Sequence, residues 1–311
     1  MPSKSSILLG GNSKNMSNWS EGRYQDMYAD PPEPDDWKQP ARPFVKMVGG
    51  KRQLLSELQK YIPRFFKRYY EPFVGGGALF FHLKNYMPDC LAVIGDNNPY
   101  LIRAYIGVRD YPNDVIAYLK SMTYSADEYY ERRQNMPKLR SAKSSEIAAW
   151  FIYMNKCGYN GLWRVNRTGQ FNVPFGRYIN PTICDEENLH ACFKALWGTV
   201  IMYGDFEKTV ESAAEEDLVY FDCPYWPASD TANFTGYTSN GFQVADQIRL
   251  RDAAIQLKKR NVHVILSNAD VPEVHALYTI DGIFDIHQVK ANRAINSNAS
   301  KRGAVGELII T

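Results

Sequence analysis

Five short apolar runs set the fold of this chain more firmly than anything else in it: 68–74 (RYYEPFV), 91–95 (LAVIG), 199–203 (TVIMY), 218–221 (LVYF) and 262–267 (VHVILS). Each is strand-length and nearly continuous in apolar character, the pattern of a strand buried on both faces. Helix-length segments separate them. Strands alternating with helices predict a parallel sheet covered on both sides, a doubly wound α/β fold. Segments near 284–290 and 306–311 are expected to add an antiparallel edge. The stretch 99–188, between the second and third runs, is helical and aromatic and then Gly-rich; it reads as an insertion at one edge of the sheet. Residues 1–40 are rich in Ser, Asn, Pro and acids, show no sustained period, and read as a flexible extension.

Composition restricts function little. With 45% hydrophobic residues in 311 there is ample core, and 36 basic against 34 acidic side chains leave a net charge of +2, which selects neither nucleic acid nor membrane. Five cysteines, Cys90, Cys157, Cys184, Cys192 and Cys223, include no CxxC pair, so a disulfide framework or zinc knuckle is not expected and a reducing, cytoplasmic compartment is. No apolar run is long enough for a membrane span. No metal site and no obligate protein partner are implied.

Chemistry gathers at the ends of two strands. In EPFVGGGALFF (71–81) a strand runs into three glycines and then a helix, letting backbone N–H groups approach a ligand. The dinucleotide fingerprint G-x-G-x-x-G fails, because the sixth position from Gly75 is Phe80. A phosphate loop fails at GGK (49–51), which lacks the earlier Gly and is followed by Arg52. Asp96 ends the next strand, about twenty residues on, where an acid accepts ribose hydroxyls. A nucleoside cofactor without a pyrophosphate fits best; a plain tight turn beside a solvated Asp is the bland alternative.

The second strand end is LVYFDCPYWP (218–227). Asp222 and the carbonyl of Cys223 can each accept one N–H of an exocyclic amine such as adenine N6. That favours a pyramidal nitrogen and stabilises the positive charge it acquires on attacking an electrophile. Pro224 restricts the backbone, and Tyr225 offers a ring on which a base stacks, worth about 1–3 kcal/mol. Asp30-Pro31-Pro32 is a partial look-alike, but no apolar strand feeds it.

With these residues in view the chain resembles the Dam-type DNA adenine N6-methyltransferases, which use S-adenosylmethionine. The resemblance runs from about Phe44 onward and rests on KMVGGK (46–51), EPFVGGG (71–77), GYNGLWRVNRTGQFNVPFGRY (158–178) and DCPYWPASDTANFTGY (222–237). It implies a Rossmann-like methyltransferase sheet, 41–98 with 189–311, and a helical plus β-hairpin target-recognition domain over 99–188. The implied cofactor residues are Met47, Lys51, Phe73, Gly75, Gly77, Asp96 and Asp222. Transfer would be direct, in line and without a metal. Two departures stand out: Cys223 replaces the first proline of D-P-P-Y, and Met47 sits where the family has an aromatic residue. Ala269, in LSNAD, stands where a His is expected.

For double-stranded DNA, the resemblance puts Arg164 on a guanine edge, Leu162 and Pro174 on thymine methyls, and Lys46 and Tyr178 at the outer base pair. Tyr159 and Asn160 would fill the gap left by a flipped adenine, and Asn166 and Arg177 complete the DNA-facing set. The implied target is GATC. The residues agree in kind: NGLWRVNRTGQFNVP reads as a hairpin turning at Asn166–Gly169, and Arg132, Arg133, Lys138, Arg140 and Lys143 form a basic run suited to phosphates. The loop 231–237 is expected to cover the flipped base. Methylation of cytosine N4 or RNA adenine, a DNA binder that has lost catalysis, and a nicotinamide oxidoreductase remain as alternatives.

Overall fold

Seven strands form one sheet in the order β3-β2-β1-β4-β5-β7-β6. They are β1 (Arg68–Glu71), β2 (Leu91–Asp96), β3 (Val200–Tyr203), β4 (Leu218–Phe221), β5 (His263–Ala269), β6 (Ile286–Asn292) and β7 (Ala304–Ile310). The computed structural model describes residues 39–47, 54–226, 242–280, 282–292 and 304–311, all within one unit spanning 35–311. The first five strands are parallel, and β7 runs antiparallel to both β5 and β6. β1 stops at Glu71, three residues short of the expected run, because Pro72 has no N–H to continue the ladder. β5 continues two residues past its expected end, to Ala269, where β7 pairs with it.

The continuous apolar runs have a direct explanation. Along β1, β4 and β5 the side chains alternate between two cores. Tyr69, Tyr220 and Ile265 enter one; Tyr70, Val219, Phe221, Val264 and Leu266 enter the other, on the opposite face.

Between β2 and β3 the chain makes α3 (Pro99–Asp110), α4 (Pro112–Lys120), α5 (Ala126–Gln134), α6 (Ser144–Cys157) and α7 (Glu186–Leu196). Asn98 caps α3, its Oδ1 accepting from the N–H groups of Tyr100 and Leu101, with Pro99 pre-set for the first turn. Helix α6 is apolar nearly all round and almost wholly buried, so it forms the centre of this layer. It crosses α3 at Gly107, where a Cβ would come 2.6 Å from that of Ala148.

The remaining helices are α1 (Leu55–Leu58), α2 (Ala78–Tyr86), α8 (Phe206–Thr209), α9 (Val244–Lys259) and α10 (Pro272–Tyr278). Among the described residues no helix is long and apolar enough to cross a membrane. The chain builds outward from β1 through β2 to β3 and then returns to lay β4 on the other side of β1. Connections leave β1 and β4 in opposite directions, which opens a crevice at their carboxyl ends.

Candidate active site

The glycine turn occupies one wall of that crevice. Gly75 (φ 47°) and Gly77 (φ 70°) take left-handed backbone conformations, and Gly77 caps α2. A Cβ on Gly77 would come 2.6 Å from the Tyr105 hydroxyl, which donates to the Gly75 carbonyl at 3.0 Å. Met47 is buried against the same turn, its Cβ 3.9 Å from a Cβ built on either Gly75 or Gly76.

The Asp96 carboxylate receives the Gly75 N–H at 3.1 Å and the Asn98 N–H at 2.9 Å. Burial lifts its pKa to about 6, against the opposing pull of these donors. Glu71, the last residue of β1, is also buried and accepts the Tyr69 hydroxyl at 2.8 Å and the Phe80 N–H at 3.1 Å. Burial pushes its carboxyl well above the usual range, and the charge of Asp222 pushes it the same way.

Asp222 follows β4, which pairs in parallel with β1, the strand that carries the glycine turn. Asp222, Cys223, Pro224 and Tyr225 follow β4 directly. The Tyr225 hydroxyl donates to Glu307 on β7 at 2.9 Å, which fixes the far end of the ring.

Beside Asp96 opens a pocket lined by Pro72, Phe73, Asn97, Gly204, Asp205, Phe206, Phe242 and Asp246. Phe73 stacks on Phe206 at 5.4 Å and meets the edge of Phe242 at 5.8 Å. The lining holds aromatic rings and two acids, Asp205 and Asp246, both ion-paired with Arg249, whose guanidinium also lies over the Phe206 ring. Aromatic walls with acceptors beside them suit a purine and hydroxyls, so the lining fits a nucleoside cofactor of the S-adenosylmethionine kind. Asp205, Phe206 and Phe242 escaped the sequence reading, as did Glu71 and Glu307. Asp205 was within reach of it: an acid just past β3 obeys the strand-end logic that selects Asp96. Lys51 lies outside the described residues, as do Asp30-Pro31-Pro32 and the loop 231–237.

The expected DNA-facing residues sit beyond the end of α6. Tyr159 and Asn160 form a single 3-10 turn, Tyr159 exposed and Asn160 in the left-handed region at φ 55°. The following hairpin is held by two isolated antiparallel bridges, Gly158 with Phe175 and Val165 with Phe171, instead of the continuous ladder its pattern suggests. Asn166 turns its own loop, its Oδ1 accepting from the N–H groups of Thr168 and Gln170. Arg164 is exposed and braced by Asn172, whose Oδ1 takes its Nε–H at 2.7 Å.

Pro174, Arg177 and Tyr178 are exposed, and Leu162 is half-buried. The Tyr178 hydroxyl donates to the Gly158 carbonyl at 2.9 Å. Lys46 is tied to this region by Asn155, which accepts its N–H and donates to its carbonyl. In the basic run Arg132 is paired with Glu128 at 2.6 Å, and Arg133 lies over the Tyr130 ring and donates to the Val173 carbonyl. Lys138, Arg140 and Lys143 are exposed.

A largely parallel sheet with a glycine turn after β1 and acids at its strand ends is the arrangement of a Rossmann-like methyltransferase fold. The sequence model of the D12 class N6 adenine-specific DNA methyltransferases matches residues 48–295. The chain belongs to that family and is a DNA adenine methyltransferase. It is 44% identical over 276 residues to the type II methyltransferase M1.LlaDCHI of Lactococcus lactis subsp. cremoris, covering 87% of this chain and 95% of that one. It is 40% identical over 286 residues to the type II methyltransferase M.MjaIII of Methanocaldococcus jannaschii (86% and 98%). A DNA adenine methylase of Vibrio cholerae is 35% identical over 275 residues (86% and 95%).

Proposed function

We propose that the chain transfers a methyl group from S-adenosylmethionine to N6 of an adenine turned out of duplex DNA, at the sequence GATC. The observation that most supports this reading is that the glycine turn after β1 and the Asp-Cys-Pro-Tyr corner after β4 follow neighbouring parallel strands at the same end of the sheet, with Asp96 of β2 hydrogen-bonded to the turn.

When bound, the cofactor supplies an electrophilic methyl on a positively charged sulfur. Asp96 would accept its ribose hydroxyls, Phe73 and Phe206 would wall its purine, and Met47, Lys51, Gly75 and Gly77 would hold its remaining part. Asp222 and the Cys223 carbonyl take one amine N–H each, so the nitrogen lone pair is aimed out of the base plane. Asp222 also offsets the positive charge that grows on N6. Tyr225, anchored by Glu307, provides the surface on which the base stacks. Positioning and charge stabilisation are the catalysis.

Residues 99–188 read the duplex in this proposal, and 41–98 with 189–311 carry the chemistry. Arg164, braced by Asn172, reads guanine; Leu162 and Pro174 meet thymine methyls; Lys46 and Tyr178 address the outer pair, with Asn166 and Arg177 flanking. Tyr159 and Asn160, on their exposed turn, enter the space the adenine vacates, offsetting an extrusion cost of a few kcal/mol.

The test is incubation with methyl-labelled S-adenosylmethionine and duplexes with and without GATC, followed by nucleoside analysis. N6-methyladenine only in the GATC duplex is expected; label on cytosine, or equal labelling of both duplexes, overturns the assignment. Asp222→Ala should abolish transfer while DNA binding persists, and retained turnover would remove the clamp from the mechanism.

A further inference from the structure

Cys223 is the one corner residue whose departure from D-P-P-Y bears on the reacting amine. Pro224 confines Cys223 to extended conformations, but without a ring of its own Cys223 has no fixed φ. Its carbonyl must nonetheless point at the amine. A network of two buried amides supplies the constraint.

The side chain of Asn268, on β5, has no exposed surface, and that of Gln247, in the first turn of α9, is 2% exposed. Gln247 Nε2 donates to the Pro224 carbonyl at 2.9 Å. Asn268 Oδ1 accepts the N–H of Trp226 at 2.9 Å and that of Ala269 at 2.8 Å. Its Nδ2 donates to Gln247 Oε1 at 3.1 Å and to Cys223 Sγ at 3.7 Å. Cys223 Sγ in turn donates to the Ser267 carbonyl at 3.5 Å. Residues 223, 224 and 226 are thus each fastened to the same pair of amides or to the strand that bears one of them. Asn268 cannot flip, because its NH2 would then face two N–H donors. An apolar pair would fill the space without the desolvation cost of two amides, so the network's distinctive contribution is direction.

We infer that Gln247 and Asn268 are positioning residues for methyl transfer, which hold the Cys223 carbonyl toward the target amine in place of the missing proline ring. The inference rests on the proposed role of the corner.

Its test is single-turnover methylation of a GATC duplex by Gln247→Met, which removes both amide functions at nearly constant volume. The rate should fall about tenfold while DNA and cofactor dissociation constants stay within about twofold. In a Cys223→Pro background, where the ring sets the backbone angle directly, the same substitution should slow transfer by less than about threefold. Equal losses in the two backgrounds, or weakened binding without a slower step, overturn the inference. Should Gln247→Met not fold, Cys223→Val serves instead: it removes the S–H donor and the sulfur acceptor while adding a slightly larger, β-branched apolar side chain, and an undiminished rate overturns the inference. Asp222→Ala runs alongside. If it stays active the corner reading itself fails; if it is inactive and Gln247→Met or Cys223→Val is neutral, only the positioning role fails.

Discussion

Asp96 is a carboxyl held where burial opposes its charge. Its folded pKa of about 6 stands above the unaffected 3.8. Between these values the folded chain binds more protons than the unfolded one, so this contribution to stability is complete below pH 3.8 and is lost as pH rises through about 6. Hydroxyl donors from a bound nucleoside favour the ionised carboxylate and lower that pKa. Cofactor binding is therefore expected to release about half a proton per site near pH 6 and none at pH 8, and to weaken below pH 6. Calorimetry in buffers of different ionisation enthalpy measures this directly; proton uptake, or no exchange at pH 6, would mean that Asp96 does not meet the hydroxyls. Glu71 is shifted in the same direction, but its bound oxygen answers Tyr69 and Phe80, not the turn, so binding acts first on Asp96.

Among the elements, α6 joins the two halves of the proposed machinery through one polar side chain. Asn155 accepts the Lys46 N–H at 2.8 Å and donates to the carbonyls of Lys46 at 2.7 Å and Gly161 at 2.8 Å. Asn155→Ala should strand these groups at a cost of about 2–4 kcal/mol and loosen the turn that bears Tyr159 and Asn160. A lower urea midpoint and weaker DNA binding with unchanged cofactor affinity are expected; an unchanged midpoint would show that water replaces the amide. The strands were legible in the sequence because burial on both faces leaves runs no other element needs, and Asp96 and Asp222 stood out because each is an acid at the end of such a run, where a parallel sheet opens its crevice. The hairpin was legible as a turn but not as two bridges, since its regularity depends on what packs beneath it. Asn155 left only a faint signal, one amide near the end of a largely apolar helix. Glu307 left none, because nothing local links it to Tyr225.

At the scale of the molecule, net charge of +2 conceals a division of labour. Arg249, beside the proposed cofactor pocket, is held by Asp205 and Asp246, whereas Lys138, Arg140, Lys143, Arg167 and Arg177 are exposed within 99–188. Arg132 and Arg133 are engaged inside the protein, which lowers the number available to phosphates. About four phosphate contacts would weaken DNA binding roughly a hundredfold between 50 and 200 mM salt. Cofactor affinity should barely move over the same range, and titrations of each ligand at both salt concentrations separate the two; a parallel loss would show that charge contacts hold the cofactor as well. The order β5-β7-β6 has its own outcome for a chain made from one end. β6 leaves the ribosome before the strand that receives it, and Glu307 follows the tyrosine it steadies by 82 positions. A nascent chain thus has every residue of the pocket lining, Asp246 the last of them, before Glu307 exists to take the Tyr225 hydroxyl.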